Sequence, residues 1–159
     1  MNANELINKN LIDLNLCAET KEEVIEKLAN MMKTEGRILD LDEYMKSVLE
    51  RESIGTTGIG EGIAIPHGKS DTVCKTSVAI GRLKEEVEWD SLDGKPVKLV
   101  FLLAVNSKDS NNIHLKILSS IASMLMNDDI VKKLYNAKSN EEIIDLINEG
   151  INIEMTKNN

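Results

Sequence analysis

The sequence predicts an α/β protein, a mixed β-sheet flanked by helices on both faces. Three observations lead there. Two amphipathic helical stretches come first, a group of short apolar runs follows, and three more helical stretches close the chain, an order that suits one sheet covered by helices. The run Val97–Val105 is nearly all apolar, as expected of a strand covered on both sides. Between the helices and that run lies IGTTGIGEGIAIPHG, with glycine at 55, 58, 60, 62 and 68, where the backbone must turn sharply or approach something closely.

Element by element, Leu11–Leu16 is mixed in character, with Leu-Ile-Asp-Leu compatible with a short edge strand. Thr20 and Glu23 form a capping box, after which Val24, Ile25, Leu28, Met31 and Met32 recur at helical spacing until Gly36. Asp40 with Glu43 opens a second helix, whose stripe is Leu41, Tyr44, Met45, Val48 and Leu49; the two helices are expected to form a packed pair. Ile63-Ala64-Ile65 predicts a short strand stopped by Pro66. Thr76–Leu83 and Val97–Val105 predict two more strands, with the turn signal Asp93-Gly94 between them. A helix is expected from about Asn112, with Ile117, Leu118, Ile121, Ala122 and Leu125 on one side. Asp128–Tyr135 predicts a short helix, and Ser139 with Glu142 caps the last one. Residues 1–150 are expected to form a single domain and 151–159 a loose tail.

Composition narrows the function. The 159 residues suffice for one domain with a sizeable core, and 42% hydrophobic with 29% charged residues is a globular balance. Acidic side chains outnumber basic ones by 27 to 19, a formal charge of −8, which argues against a nucleic-acid backbone as ligand. The longest apolar run, Leu99–Val105, is far short of the ~20 residues of a membrane span, and the N-terminal MNANELINKN has no signal-like apolar core. Cys17 and Cys74 show no metal or disulfide spacing. The expectation is a cytoplasmic protein with no metal, no cofactor and no direct membrane insertion.

Gly68-Lys69-Ser70 invites comparison with a phosphate-binding P-loop, but that motif needs glycine at 63, where Ile63 stands, and Pro66 interrupts the amide cradle. GIGEG likewise stops short of a dinucleotide fingerprint. His67 is the more informative residue. It follows a proline that restricts the local backbone and precedes a glycine that leaves the ring uncrowded, so an imidazole there is held in place yet reachable. The same context also suits a loop histidine without chemistry. His114 falls in the first turn of a helix, near exposed amides and the positive dipole end. Arg51 ends the second helix, where it also suits a simple C-terminal charge. Two imidazoles, a guanidinium and a helix N-terminus together fit a phosphoryl group: an imidazole nitrogen accepts it, and the guanidinium and amides hold its oxygens. No acidic cluster near His67 suggests magnesium, so phosphoryl transfer from ATP is not expected.

Arg51-Glu52-Ser53 followed by TTGIGEGIAIPHG closely resembles the IIA domain of the fructose/mannitol (type 2) class of the bacterial sugar phosphotransferase system. The resemblance extends along most of the chain; EWDSLDGKPVKLVFLLAV and Ile113-His114-Leu115-Lys116-Ile117-Leu118 are similar to the fructose branch in particular. Asn106 departs from the pattern, since relatives commonly carry proline there, which affects loop shape. The resemblance implies a mixed sheet between helical layers and a metal-free phosphohistidine relay. In it His67 receives the phosphoryl group from phospho-HPr and passes it to a cysteine of the IIB domain, which serves the membrane-embedded IIC. Arg51 and His114 match the supporting positions. Two other readings remain: a regulatory IIA-like module, such as the nitrogen-related branch, whose phosphorylation controls partner binding, and a small hydrolase with His67 as general base, for which no nucleophile motif is present.

Overall fold

The computed structural model describes residues 3–109 and 111–157. In chain order its elements are α1 (Ala3–Leu6), a 3-10 turn (Lys9–Leu11), β1 (Ile12–Leu16), α2 (Lys21–Thr34), α3 (Leu41–Ile54), β2 (Gly58–Gly60), β3 (Ile63–Ala64), β4 (His67–Ser70), β5 (Ser77–Val87), β6 (Val97–Asn106), α4 (Asn111–Met124), α5 (Asp128–Asn136) and α6 (Asn140–Lys157). They divide into two units, one formed by Asn10–Lys108 and one by the described residues on either side of it.

The first unit holds a mixed sheet, as the sequence predicts. Its order is β1-β5-β6-β3-β2, with β4 also on β6. β1 runs parallel to β5, and β5 antiparallel to β6. β3 and β4 both run parallel to β6, and β2 returns antiparallel to β3. The apolar run of β6 is buried from Leu99 to Val105, consistent with its central place in the sheet.

The helix pair of this unit forms for the reasons the caps announce. Thr20 Oγ1 accepts from the Glu23 amide at 3.2 Å, and the Asp40 carboxylate from the Glu43 amide at 3.1 Å, each satisfying one unpaired donor of a first helical turn. α2 buries Val24, Ile25, Leu28 and Met32 completely, each worth about 1.5–3 kcal/mol of removal from water. It lies on β5, and α3 lies against α2 and β4. Only Tyr44 and Val48 of the α3 stripe are buried. The Tyr44 hydroxyl donates to the Leu103 carbonyl at 2.9 Å, tying α3 to the middle of β6. Burial holds that phenol well above its ordinary pKa, so it remains a donor.

The strand expected at Ile63–Ile65 continues further than the proline suggests. Ile63 faces Leu99, and four residues on along each strand His67 faces Leu103, so the register is unbroken across Pro66. Proline removes a donor but keeps its acceptor: the Leu103 amide bonds the Pro66 carbonyl at 3.0 Å. His67 therefore opens β4 instead of sitting in a loop.

In the second unit α1, α4 and α5 each contact α6. Asn127 caps α5, its side-chain oxygen accepting from the Asp129 and Ile130 amides at 3.0 and 3.3 Å. Ser139 Oγ accepts from the Glu142 amide at 3.1 Å. Gly150 allows α6 to meet Met124, whose Cγ would stand 2.5 Å from an added Cβ. α6 runs on to Lys157, through most of the stretch expected as a tail. Among the described residues, no helix is long and apolar enough to cross a membrane.

Candidate functional site

His67 is half-buried at the start of β4. Its Nδ1 lies 3.0 Å from the Ile65 carbonyl oxygen. A carbonyl only accepts, so Nδ1 carries the hydrogen, and in the neutral ring the lone pair resides on Nε2. Burial holds the imidazole pKa below its ordinary value; the Ile65 carbonyl opposes that, Arg51 lowers it and Glu52 raises it. The ring is thereby biased toward its neutral form, with the lone pair on Nε2.

Gly68 serves a purpose beyond the one its position suggests. A Cβ there would come within 2.3 Å of Ser47 Oγ and 2.8 Å of Val48 Cγ2. The glycine lets α3 approach β4, rather than merely leaving the histidine uncrowded. That approach brings the C-terminal turn of α3, with Arg51 and Glu52, to the histidine. Arg51 is half-buried in this turn and donates from Nη1 to the Gly55 carbonyl at 2.7 Å, the helix-end contact expected of a basic residue there. Its charge also acts on the His67 ring, so one guanidinium serves both helix and site. His114 is the fourth residue of α4 in the second unit, and half-buried.

Sequence reasoning missed a set of side chains behind His67. The Glu52 carboxylate accepts from Lys21 Nζ at 3.3 Å and from the Thr57 amide at 3.3 Å. It also accepts from the Thr57 hydroxyl. The Thr57 oxygen in turn accepts from Trp89 Nε1 at 3.2 Å. Lys21 Nζ lies 5.8 Å from the centroid of the Trp89 ring and 3.4 Å from its carbonyl oxygen, and Trp89 is 1% exposed. Glu52 and Trp89 stand within the quoted motifs, yet their convergence on Thr57 has no local signature. Among the described residues, no group of three or more His, Cys, Asp or Glu side chains is placed to hold a metal ion.

The family model described as "Phosphoenolpyruvate-dependent sugar phosphotransferase system, EIIA 2" matches residues 5–150. The chain is 42% identical over 149 residues to the fructose-specific EIIABC component of Bacillus subtilis (strain 168), covering 94% of this chain and 23% of that protein. It thus spans less than a quarter of that relative. It is 40% identical over 141 residues to the fructose-specific EIIA component of Haloferax volcanii, covering 89% of this chain and 91% of that one. Among solved structures, the nitrogen regulatory protein IIA-Ntr from Neisseria meningitidis matches with a TM-score of 0.84 at 30% identity, over 91% of this chain and 97% of that one.

Proposed function

The chain belongs to the EIIA 2 family of the phosphoenolpyruvate-dependent sugar phosphotransferase system, and from that premise we propose that it is a phosphohistidine carrier for fructose-type sugar uptake. The observation that carries the chemistry is the contact of His67 Nδ1 with the Ile65 carbonyl, which leaves the lone pair on Nε2. In the accepting step Nε2 attacks the phosphorus of phospho-HPr; the new N–P bond forms as the donor's N–P bond breaks, and the donor imidazole leaves with the electron pair. In the donating step a thiolate of IIB attacks the same phosphorus, and His67 departs with the electrons of its N–P bond. The chain is in this sense a phosphotransferase, acting in the cytoplasm and reaching the membrane only through IIC. Residues 1–150 constitute the functional domain, with 151–159 as its extension.

Arg51 and His114 are assigned to the phosphoryl oxygens, whose charge shifts as the group transfers. The Bacillus relative's name joins components A, B and C in one chain, which supports IIB and IIC as the downstream partners. Identity of 42% and 40% to fructose-specific proteins, against 33% and 30% to nitrogen regulatory ones, favours the sugar branch over a regulatory module.

The test is incubation with phosphoenolpyruvate, enzyme I and HPr, followed by mapping of the phosphorylated residue. An acid-labile, base-stable adduct on His67 is expected. His67→Ala should take up no label, and His114→Ala should still accept it, with transfer slowed ~10²–10³-fold, the usual loss of one transition-state donor. An acid-stable adduct on Ser70 or Thr57, or labelling retained by His67→Ala and lost by His114→Ala, would overturn the assignment.

A further inference from the structure

The side chains behind His67 form a continuous chain of contacts that ends on its ring. Glu52, 5% exposed at its side chain, receives Lys21 and both the amide and the hydroxyl of Thr57. Trp89 Nε1 donates to the same hydroxyl oxygen. Thr57 is thus held through its backbone N–H and its side chain together. Its carbonyl accepts from the Ile65 amide at 3.0 Å, and the Ile65 carbonyl accepts from His67 Nδ1 at 3.0 Å. Pro66 restricts the backbone of Ile65, so orienting the Ile65 amide also orients its carbonyl.

We propose that Thr57 is a positioning residue for His67: clamped by Glu52 and Trp89, it aims the Ile65 carbonyl at Nδ1 and so keeps the reactive lone pair on Nε2. This rests on the carrier reading above, in which Nε2 is the phosphoryl acceptor. It differs from a purely stabilising network in a measurable way. A stabilising network affects how much protein is folded; a positioning network affects which ring nitrogen of the folded protein carries the hydrogen. Outer partners that orient a metal-bound histidine are typically worth ~10–100-fold in activity, and a loss of the same order is expected for an oriented histidine that accepts a phosphoryl group.

The experiment reads the His67 ring nitrogens by long-range proton–nitrogen NMR on the labelled, unphosphorylated protein, at a pH where the ring is neutral. Single-turnover labelling by phospho-HPr accompanies it. Wild type should show a hydrogen-bearing Nδ1 and an unprotonated Nε2. Thr57→Val, close in shape but without the hydroxyl, should show a mixture of tautomers and accept phosphate ~10–100-fold more slowly at saturating donor. Thr57→Ser should restore both. Should Thr57→Val lack a folded amide spectrum, Glu52→Gln provides the same reading and should also give mixed tautomers. A wild-type tautomer in a folded Thr57→Val or Glu52→Gln protein, or a Thr57→Ser protein as impaired as Thr57→Val, overturns the proposal while leaving the carrier function standing. Wild-type protein that takes no phosphate overturns the carrier reading instead, and the tautomer measurement, made without donor, still decides this one.

Discussion

At the scale of the residue, the physical question is what sets the charge of the His67 ring. Partial burial is the main cause of its lowered pKa, the Ile65 carbonyl pulls the other way, and Arg51 and Glu52 act in opposite senses. The balance lowers the ring's pKa below the ordinary value and so shifts the ring toward its neutral form. An NMR titration of the His67 ring should accordingly give a midpoint below that ordinary value; one at or above it would contradict the burial argument. Stability follows with a definite sign. The unfolded chain takes up this proton at a higher pH than the folded one, so between the two values the unfolded state holds more protons. Stability is therefore lost as pH falls through the unfolded value, and the loss ends below the folded value. His67→Gln, which carries no such proton, should lose less stability on acidification than wild type over that window, measured by urea unfolding at a series of pH values. His67 and Arg51 could be singled out in the sequence because the local marks that point to them, a proline, a glycine and a helix end, lie beside them. Thr57 was not: Glu52 and Lys21 are 31 positions apart, and Thr57 and Trp89 are 32 apart. No local rule joins residues at that distance.

At the scale of the element, the site depends on how closely α3 meets β4. Gly68 sets that distance. An alanine Cβ would stand 2.3 Å from Ser47 Oγ, 2.8 Å from Val48 Cγ2 and 3.1 Å from the Val48 backbone nitrogen. A side chain can rotate away from such a contact, but a helix backbone must retreat. Gly68→Ala should therefore cost about 1–3 kcal/mol, the usual range for overpacking a well-filled site. It should also slow phosphate acceptance, because Arg51 and Glu52 move with the helix. Chemical denaturation and single-turnover labelling of the same variant check both; a variant as stable as wild type would mean that the close approach is dispensable. The two helices of this unit could be read from their caps, Thr20 with Glu23 and Asp40 with Glu43, because capping is a local bond. β2 and β4 could not. Their sequences, GIG and HGKS, have little intrinsic strand preference, and they become strands by pairing with β3 and β6. Propensity yields here to the neighbouring strand.

At the scale of the whole molecule, the governing quantity is charge. A carrier must meet two different partners and release each of them, which favours a small interface with rapid dissociation over a large apolar one. Such an interface gains its encounter rate from electrostatics, and this chain carries a formal charge of −8. A donor protein that presents a basic face would be steered toward it, and that steering is screened once the Debye length falls below the approach distance. The bimolecular rate constant for phosphoryl uptake from phospho-HPr should therefore decline as salt rises from ~0.01 to ~1 M, over which the Debye length shrinks from ~30 to ~3 Å. The transfer step within the docked complex takes place at contact distance, where added ions screen poorly, so its rate at saturating donor should change much less. Stopped-flow or rapid-quench labelling at several donor concentrations separates the two. A second-order constant that is flat across this range would remove charge from the account of encounter, whereas a steep salt dependence of the saturated rate would place the screened charges at the phosphoryl group itself.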